Sequence, residues 1–324
     1  MAPVLEVKNL SLHYLTRFGE KIHAVDDVSF ELQPGEILGI AGESGCGKTT
    51  LVSGLMGLLI PPLQHTSGEV RIAGRSIIGM SVEQNRKEVL GQLISMIPQG
   101  ALNSLNPTRK VKDLAADMIL SHDEHADRKE IRDRLRQRFE RIGLQPDQVL
   151  DAYPVQLPAG IKQRVVIGIS TLLNPKVVIA DEPTSALDVS TQKSVIRLMF
   201  DLIDQGIVSS MIFITHELPL LKHVSSRIAV MYAGEFVELG TSDQVVLDGR
   251  SPYSRALMSS TLTAEPGQRS RKPIAIEGAP PSLATPIPGC RFSARCPEVR
   301  PACKIDKQEL RVVADRLVRC AYAQ

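Results

Sequence analysis

Residues 36–59 read EILGIAGESGCGKTTLVSGLMGLL, and this stretch decides the fold. Its first part, EILGIAG, carries apolar side chains on both faces, which is typical of a buried strand in a parallel sheet. The next part, GESGCGKT at residues 42–49, matches the pattern G-x-x-x-x-G-K-[ST], and the apolar run after it predicts a helix. A buried strand that passes through such a loop into a helix predicts a phosphate-binding loop in an α/β protein.

The chemistry of this loop suits a nucleoside triphosphate. Its glycines let main-chain N–H groups wrap the phosphates, and the helix N-terminus adds positive potential. Lys48 is expected to reach the β- and γ-phosphates, and Thr49 is expected to place its hydroxyl on Mg²⁺. The residues of the loop expected to bind nucleotide are Gly42, Ser44, Gly45, Cys46, Gly47, Lys48, Thr49 and Thr50.

A second apolar stretch, VVIADEPTSALD at residues 177–188, ends in two acids. Acids at the carboxyl end of a parallel strand lie where open α/β sheets bind ligands. Asp181 suits the water shell of Mg²⁺, and Glu182 suits a general base or a residue that orients the attacking water. Taken alone, the pair is equally compatible with two surface acids at the end of a strand.

Composition narrows the class of protein. The 324 residues include 38 basic and 36 acidic side chains, a net charge of +2, which gives no electrostatic case for nucleic acid as a partner. No apolar run approaches the roughly 18 residues of a membrane helix. The opening residues MAPVLEVKNLSLHY lack the basic and apolar regions of a secretion signal. We therefore expect a cytosolic chain that acts at a membrane only through a partner.

Periodicity outlines the remaining elements. Residues 21–36, KIHAVDDVSFELQPGE, predict two short strands that end at a turn, and residues 227–240 predict a hairpin. Residues 125–144 predict a helix with charges on most of its surface. The apolar face of that helix is expected to consist of Ile131, Leu135, Phe139 and Ile142.

An ordered series of motifs follows the phosphate loop. It runs through Gln99 in SMIPQGALNSLNP, the octet LPAGIKQR at residues 157–164, the acids of residues 177–188 and His216 in FITHE. In this order the chain resembles the nucleotide-binding subunit of an ABC transporter. The resemblance implies a P-loop NTPase fold, which is an α/β fold with a RecA-like core, an antiparallel β subdomain and a helical subdomain. A small C-terminal extension that contains cysteines completes it.

The resemblance also implies roles for individual residues. Gln99 is expected to touch Mg²⁺ or the attacking water, and its loop to face membrane subunits. His216 is expected to contact the γ-phosphate. Tyr14 is favoured over Phe18 as the side chain that stacks on adenine. The remaining positions expected at the nucleotide site are Leu157, Gly160 and Asp188, and the expected Mg²⁺ ligands are Thr49, Gln99 and Asp181.

Three features resemble the branch that imports dipeptides and oligopeptides, with oligosaccharide and nickel as alternative substrates: SLNP, SPYSRAL and the C-terminal cysteines. The implied partners are two transmembrane permease subunits and, indirectly, an extracytoplasmic binding protein, with the chain peripheral on the cytoplasmic face of the membrane. A soluble ABC ATPase without a transport role is the rival. We expect an ATPase domain at 1–260 with its helical subdomain at about 100–172, a linker at 261–289 and an extension at 290–324.

Four cysteines, Cys290, Cys296, Cys303 and Cys320, crowd into the C-terminal extension with the spacing C-x5-C-x6-C-x16-C. In some related importer ATPases a similar run holds a [4Fe–4S] cluster, so the resemblance implies these four as its ligands. Zinc accepts the same thiolates, and a metal-free segment is the third alternative. Arginines 291, 295 and 319 flank the cysteines, either to offset the charge of a cluster or as solvated side chains.

The octet LPAGIKQR departs from the family signature, Leu-Ser-Gly-Gly-Gln or Leu-Ser-Gly-Gly-Met. Pro158 replaces the serine and therefore supplies neither a hydroxyl nor an N–H, and Ala159 replaces the first glycine. In the family the signature contacts the nucleotide held by the opposite subunit of a dimer. The resemblance therefore predicts that this chain works as a heterodimer with a second ATPase subunit whose signature is intact, because a homodimer would contain two weak sites.

Overall fold

The computed structural model describes residues 2–185, 187–260 and 274–324. The strands are β1 Leu5–Leu15, β2 Lys21–Leu32, β3 Ile37–Ala41, β4 Leu63–Ile72, β5 Arg75–Ser76, β6 Ile94–Ile97, β7 Val177–Asp181, β8 Ser210–Thr215, β9 Arg227–Tyr232, β10 Glu235–Thr241, β11 Arg311–Val313 and β12 Arg316–Val318. The helices are α1 Lys48–Leu55, α2 Val82–Glu88, α3 Val111–Leu120, α4 Arg128–Arg141, α5 Pro146–Val149, α6 Ala159–Ser170, α7 Val189–Asp204, α8 Leu218–Val224, α9 Ser242–Leu247 and α10 Pro252–Ser259. Residues 261–273 of the predicted linker lie outside the described residues, and residues 274–289 contain no helix or strand.

The chain divides into two compact units. The first unit contains Met1–Val4, Gln33–Gly35 and Ile72–Ile212, and the second contains Leu5–Leu32, Glu36–Arg71 and Phe213–Gln324. Each unit carries part of the predicted chemistry. The phosphate loop, the residue after β8 and the cysteines belong to the second unit, whereas the Gln99 loop, the octet and the two acids belong to the first.

In the second unit, the strands run in the order β11-β12-β10-β9-β3. Strand β3 pairs with β9 in parallel, and all five of its residues are buried, as the apolar run of residues 36–42 predicts. Strands β9 and β10 form the predicted hairpin, with φ angles of 47° at Ala233 and 90° at Gly234. Two positive φ angles in succession suit the tight turn of a hairpin.

Strand β2 corrects the prediction of two short strands in residues 21–36. The structure has one strand, Lys21–Leu32, antiparallel to β1. Its register against β1 shifts at three points, and Asp27 adopts a φ of 54° there. Bulges of this kind absorb extra residues without ending the pairing. The polar pair Asp26-Asp27 therefore marks an irregularity within the strand rather than its end.

In the first unit, β6 and β7 pair in parallel, with Ile94 opposite Val177. The helix predicted for residues 125–144 is α4, and the Asp127 side chain caps it by accepting from the N–H groups of Lys129 and Glu130. Its predicted apolar face is confirmed, because all four of its members are buried: Ile131, Leu135, Phe139 and Ile142. Within residues 2–185, 187–260 and 274–324, no helix is long and apolar enough to cross a membrane.

Candidate functional site

The phosphate loop lies between β3 and α1. Gly45 and Gly47 adopt φ angles of 78° and 110°, in the left-handed region that favours glycine. The loop also presses against neighbouring backbone, since a Cβ at Gly42 would lie 2.2 Å from the Met231 carbonyl oxygen. Helix α1 starts at Lys48, within the motif, with no side-chain cap and no acidic residue in its first turn. Its first N–H groups and positive dipole end are therefore available to an anion.

Lys48 lies across the loop that precedes it. Its ammonium donates to the carbonyl oxygens of Gly42 and Glu43 at 2.7 and 2.9 Å. The Cys46 sulfur lies 3.6 Å from the same nitrogen, and burial raises the pKa of this thiol. The thiol therefore stays protonated at neutral pH and adds no negative charge to an anion-binding loop.

Tyr14 connects the first strand to the phosphate loop. Its hydroxyl lies 3.1 Å from the hydroxyl of Thr50, which is buried, whereas Thr49 and Ser44 are exposed. Phe18, the competing aromatic residue, is 92% exposed between β1 and β2. Tyr14 is thus held in place beside the loop, while Phe18 projects into solvent.

The two acids of the first unit stand at the carboxyl end of β7. Asp181 ends the strand and is buried, and Glu182 follows with a φ of 45°, a conformation that non-glycine residues rarely adopt. The side-chain amide of Gln99 donates to the Glu182 carboxylate at 3.1 Å. The structure therefore brings together two residues that are 83 positions apart and that both carry predicted roles at the reacting phosphate. Backbone strain of this kind is concentrated at functional sites.

The octet forms the start of α6. Pro158 is the N-cap, with φ −55° and ψ 151°, and both Pro158 and Ala159 are exposed. Pro158 offers the helix no side-chain cap. Further along the octet, the buried Gln163 amide donates to the Pro183 carbonyl at 2.7 Å. A Cβ at Gly160 would lie 3.1 Å from the Thr191 methyl carbon. The helix is therefore anchored by its later residues, while its first two positions face solvent.

The Asp188 side chain caps a helix, whereas the His216 side chain is exposed after a strand. Asp188 caps α7 by accepting from the N–H groups of Ser190 and Thr191 at 3.0 Å and from the Thr191 hydroxyl at 2.6 Å. These hydrogen bonds lower the pKa of Asp188, and the Thr191 hydroxyl contributes most. His216 follows β8 directly and is exposed.

The predicted cluster site is not supported. All four cysteines line one cavity of the second unit. However, among the residues that the structure describes, no group of three or more His, Cys, Asp or Glu side chains is arranged to hold a metal ion. Without a metal, burial raises the pKa of Cys290 to about 11 and also raises that of Cys296. Hydrogen bonds and packing hold the segment instead, including a Cys290 N–H to Cys303 carbonyl bond of 2.7 Å.

The three arginines near the cysteines are bound within the protein rather than solvated. Arg291 pairs with Asp26, and Arg319 donates to the Phe236 and Gln308 carbonyls at 2.9 and 3.0 Å. Arg295 binds Glu43 of the phosphate loop at 2.7 and 3.0 Å. Sequence reasoning did not give Glu43 a role. The sequence feature that could have shown this role is a carboxylate inside a loop that is expected to bind an anion, because such a carboxylate requires a positively charged partner.

Comparisons with known proteins agree with this arrangement. Residues 25–185 match the family described as ABC transporter, and residues 237–303 match the one described as oligopeptide/dipeptide transporter, C-terminal region. A di/tripeptide transport ATP-binding protein of Pseudomonas aeruginosa is 37% identical, covering 100% of this chain and 99% of its own. An oligopeptide transport ATP-binding protein of Salmonella typhimurium is 38% identical, covering 93% of this chain and 90% of its own.

The fold of this chain is also similar to that of a solved ATP-binding cassette. A dimeric ATP-binding cassette in a post-hydrolysis state, bound to ADP and Pi, has a TM-score of 0.63 and is 25% identical. The match covers 74% of this chain and 98% of that one. The phosphate loop, the strand that ends in acids and the octet are thus found in a chain whose fold is that of known nucleotide-binding proteins.

Proposed function

The chain belongs to the ABC transporter ATP-binding proteins, and from this membership we propose that it powers the import of dipeptides or oligopeptides across a membrane. Its fold is the ABC ATPase fold, a mixed α/β architecture with parallel and antiparallel strands. Members of this family hydrolyse ATP to drive transport. The observation that carries the proposal is a single chain that joins a formed phosphate loop to a C-terminal region typical of oligopeptide and dipeptide transporters.

We assign the binding of the triphosphate to the loop and α1. Lys48 carries the positive charge for the β- and γ-phosphates, and the uncapped N–H groups of α1 face the same anion. Thr49 and Asp181 each offer an oxygen of the type that Mg²⁺ prefers, and Gln99 offers an amide oxygen. Mg²⁺, when bound with ATP, offsets the charge that the phosphates develop.

We assign hydrolysis to the acids of the first unit and to His216. Glu182 takes a proton from the attacking water or orients it, and the hydrogen bond from Gln99 holds the Glu182 carboxylate in position. His216 contacts the γ-phosphate. Tyr14 stacks on adenine, and its hydrogen bond to Thr50 fixes it beside the loop. These roles extend the resemblance of the motifs, residue by residue, to this chain.

We further propose that the chain pairs with a different ATPase subunit. Its own site has every expected residue, but α6 presents Pro158 and Ala159 to solvent where a partner's nucleotide would be received. A partner with an intact signature would complete this chain's site and give one active site per heterodimer. The heterodimer would stand on the cytoplasmic face of the membrane against two permease subunits, which receive substrate from an extracytoplasmic binding protein.

The experiment that tests the function is purification of the chain from its own cells with its associated proteins, followed by reconstitution in vesicles. We expect two polytopic subunits and a second ATPase to copurify. A peptide supplied with the binding protein should cross the vesicle membrane and accumulate only when ATP is present on the side that carries the ATPase subunits. Glu182→Gln should abolish this uptake. Copurification without any membrane subunit would overturn the transport role, and uptake of oligosaccharide or nickel instead of peptide would overturn the substrate class.

A further inference from the structure

The segment that carries the C-terminal cysteines makes a direct contact with the phosphate loop through an arginine. We call residues 290–303 the cysteine segment. Arg295, from this segment, donates through both terminal nitrogens to the two carboxylate oxygens of Glu43, at 2.7 and 3.0 Å. A bidentate pair of this kind fixes the orientation of both side chains more strongly than a single charged contact.

Arg295 is held rigidly by its surroundings. Its side chain is 4% exposed, and its remaining N–H groups meet the carbonyl oxygens of Ile276 and Glu277 and the hydroxyl of Tyr232, at 3.2, 3.0 and 3.4 Å. With the two bonds to Glu43, these contacts provide an acceptor for each of the five N–H donors of a guanidinium. A buried arginine whose N–H donors all have acceptors makes a fixed contact with the loop, unlike an exposed side chain that touches the loop transiently.

Glu43 is fixed through its main chain as well as its carboxylate. Its N–H donates to the Tyr253 hydroxyl at 3.0 Å, and its carbonyl oxygen accepts from the Lys48 ammonium at 2.9 Å. The Tyr253 ring packs against Tyr232 and against Phe292 of the cysteine segment, with centroid distances of 4.4 and 5.2 Å. The same segment thus supports Glu43 by charge and, through Phe292 and Tyr253, by packing.

A second line of contacts reaches the loop at another point. Arg291 of the cysteine segment donates to the Ala233 carbonyl at the turn of the β9–β10 hairpin. At that turn, the Gly234 N–H donates to the Cys46 carbonyl of the loop at 2.8 Å. The cysteine segment therefore supports two points of the phosphate loop, Glu43 and Cys46.

The negative charge of Glu43 explains why the phosphate loop needs a contact from Arg295. Glu43 is the only acidic residue in the sequence GESGCGKT, and the loop is to receive a polyanion. A carboxylate left without a partner beside phosphates would repel them, and the repulsion would be stronger than in bulk water because the surrounding protein lowers the effective dielectric constant. Pairing with a permanently charged guanidinium removes that repulsion at every physiological pH.

We propose that the cysteine segment is a working part of the nucleotide site, in which Arg295 is a positioning residue that neutralises Glu43 and holds the phosphate loop. The inference rests on the proposed function, because it concerns how tightly the loop holds ATP. It assigns a nucleotide-binding role to a region outside the motif residues.

The test is the affinity of the full-length chain for a non-hydrolysable ATP analogue with Mg²⁺, measured by calorimetry at fixed salt. Arg295→Gln should weaken binding about tenfold, which corresponds to about 1.4 kcal/mol. The double variant Arg295→Gln with Glu43→Gln should recover most of the affinity, because the uncompensated carboxylate is gone. A purely structural role of Arg295 would not produce that recovery.

Arg316→Gln is the matched control. The Arg316 side chain is also 4% exposed and also pairs with a glutamate, Glu238, but that glutamate lies in β10 and not in the loop. We expect this variant to lower the melting temperature and leave ATP affinity unchanged. Should Arg295→Gln fail to fold, Arg295→Lys carries the test, because it loses the bidentate geometry but keeps the positive charge that neutralises Glu43, and it should bind the analogue within about threefold of the original chain.

Three results would overturn the inference: unchanged affinity in a folded Arg295→Gln variant, no recovery in the double variant, or a tenfold loss in Arg295→Lys. A different result would count against the proposed function itself. If the unmodified, folded chain bound no ATP analogue, the site would not be a nucleotide site, whatever Arg295 does.

Discussion

Restoring the octet should convert this chain into a subunit that hydrolyses ATP as a homodimer. The change is Pro158→Ser together with Ala159→Gly, made in the full-length chain. Pro158 is the exposed N-cap of α6, so the substitution adds a hydroxyl and an N–H at the end of the helix that faces solvent. Removing the Cβ of Ala159 opens the approach to the same groups.

The size of the effect follows from the donors that are gained. Loss of one hydrogen-bond donor to developing negative charge costs on the order of 10²-fold in rate, by analogy with oxyanion-hole donors. The Pro158→Ser change returns two donors, the hydroxyl and the N–H, and their effects need not add. We therefore expect a gain of at least about 10²-fold, or about 2.7 kcal/mol of barrier.

The same change should leave stability almost unaltered, which makes the rate easy to interpret. Serine is among the preferred N-cap residues and contributes about 1 kcal/mol where the position lacks a side-chain cap. Loss of the rigid proline ring costs about 0.4–1 kcal/mol through the unfolded state. Lys162, whose N–H donates to the residue 158 carbonyl at 2.9 Å, keeps its acceptor in the variant.

The assay is phosphate release by the purified chain over a range of protein concentrations. The rate of phosphate release by the variant should rise with the square of the protein concentration until the dimer is complete. Pro158→Ala returns the N–H without the hydroxyl and should give an intermediate rate. Adding Glu182→Gln should remove the gained activity, which shows that the active site is the chain's own. A variant that dimerises with ATP but hydrolyses no faster than the original chain would refute the reasoning.

Three further substitutions and one chemical modification probe the nucleotide site and the cysteines. Tyr14→Ala should weaken the binding of ATP about tenfold. Phe18→Ala should leave the affinity unchanged, because Phe18 projects into solvent. Equal losses of ATP affinity in the two variants, measured by calorimetry, would contradict this. Gly47→Ala should abolish ATP binding, since its Cβ would lie 2.3 Å from the Ala24 carbonyl oxygen, and a nucleotide affinity like that of the original chain would exclude this close packing. Burial raises the pKa of Cys290 from 9.0 to about 11, so iodoacetamide at pH 8 should alkylate it about 100-fold more slowly than a free cysteine. Because the folded thiol keeps its proton to higher pH, it stabilises the fold below about pH 9, and this contribution is lost as the pH rises towards 11. Peptide mapping at pH 8 measures the alkylation of Cys290, and urea unfolding at pH 8 and pH 10 measures the change in stability.

The elements that the sequence predicted correctly are those with a strong local signal. Strand β3 is buried on both faces, and its apolar run is short and ends at a glycine-rich loop, which favours a strand over a buried helix. Helix α4 repeats its apolar residues at the helical spacing and begins at a capping aspartate. Strand β2 was misread because a bulge, which depends on the pairing partner, cannot be recognised from one strand alone.

The site was predictable where a motif fixes both residue type and backbone. The glycine conformations of the phosphate loop are an example. The contacts of the cysteine segment were not predictable, because they join residues that are 252 positions apart in the case of Arg295 and Glu43. Cysteine spacing suggested a metal, yet spacing along the chain does not determine whether four thiols that line one cavity take up the geometry of a metal site.

The octet also shows why a chain can lose a signature without losing a helix. Its structural contacts come from Gly160, which packs against Thr191, and from Gln163, which holds the carbonyl of Pro183. Its chemical contacts would come from positions 158 and 159, which touch solvent in this chain. In the proposed pair, substitution at the first two positions would therefore change what the helix offers to a neighbour's nucleotide and leave the anchoring of α6 intact. A second subunit that supplies the missing donors can then be selected without any repacking of this chain, which is the physical basis for expecting an unequal pair.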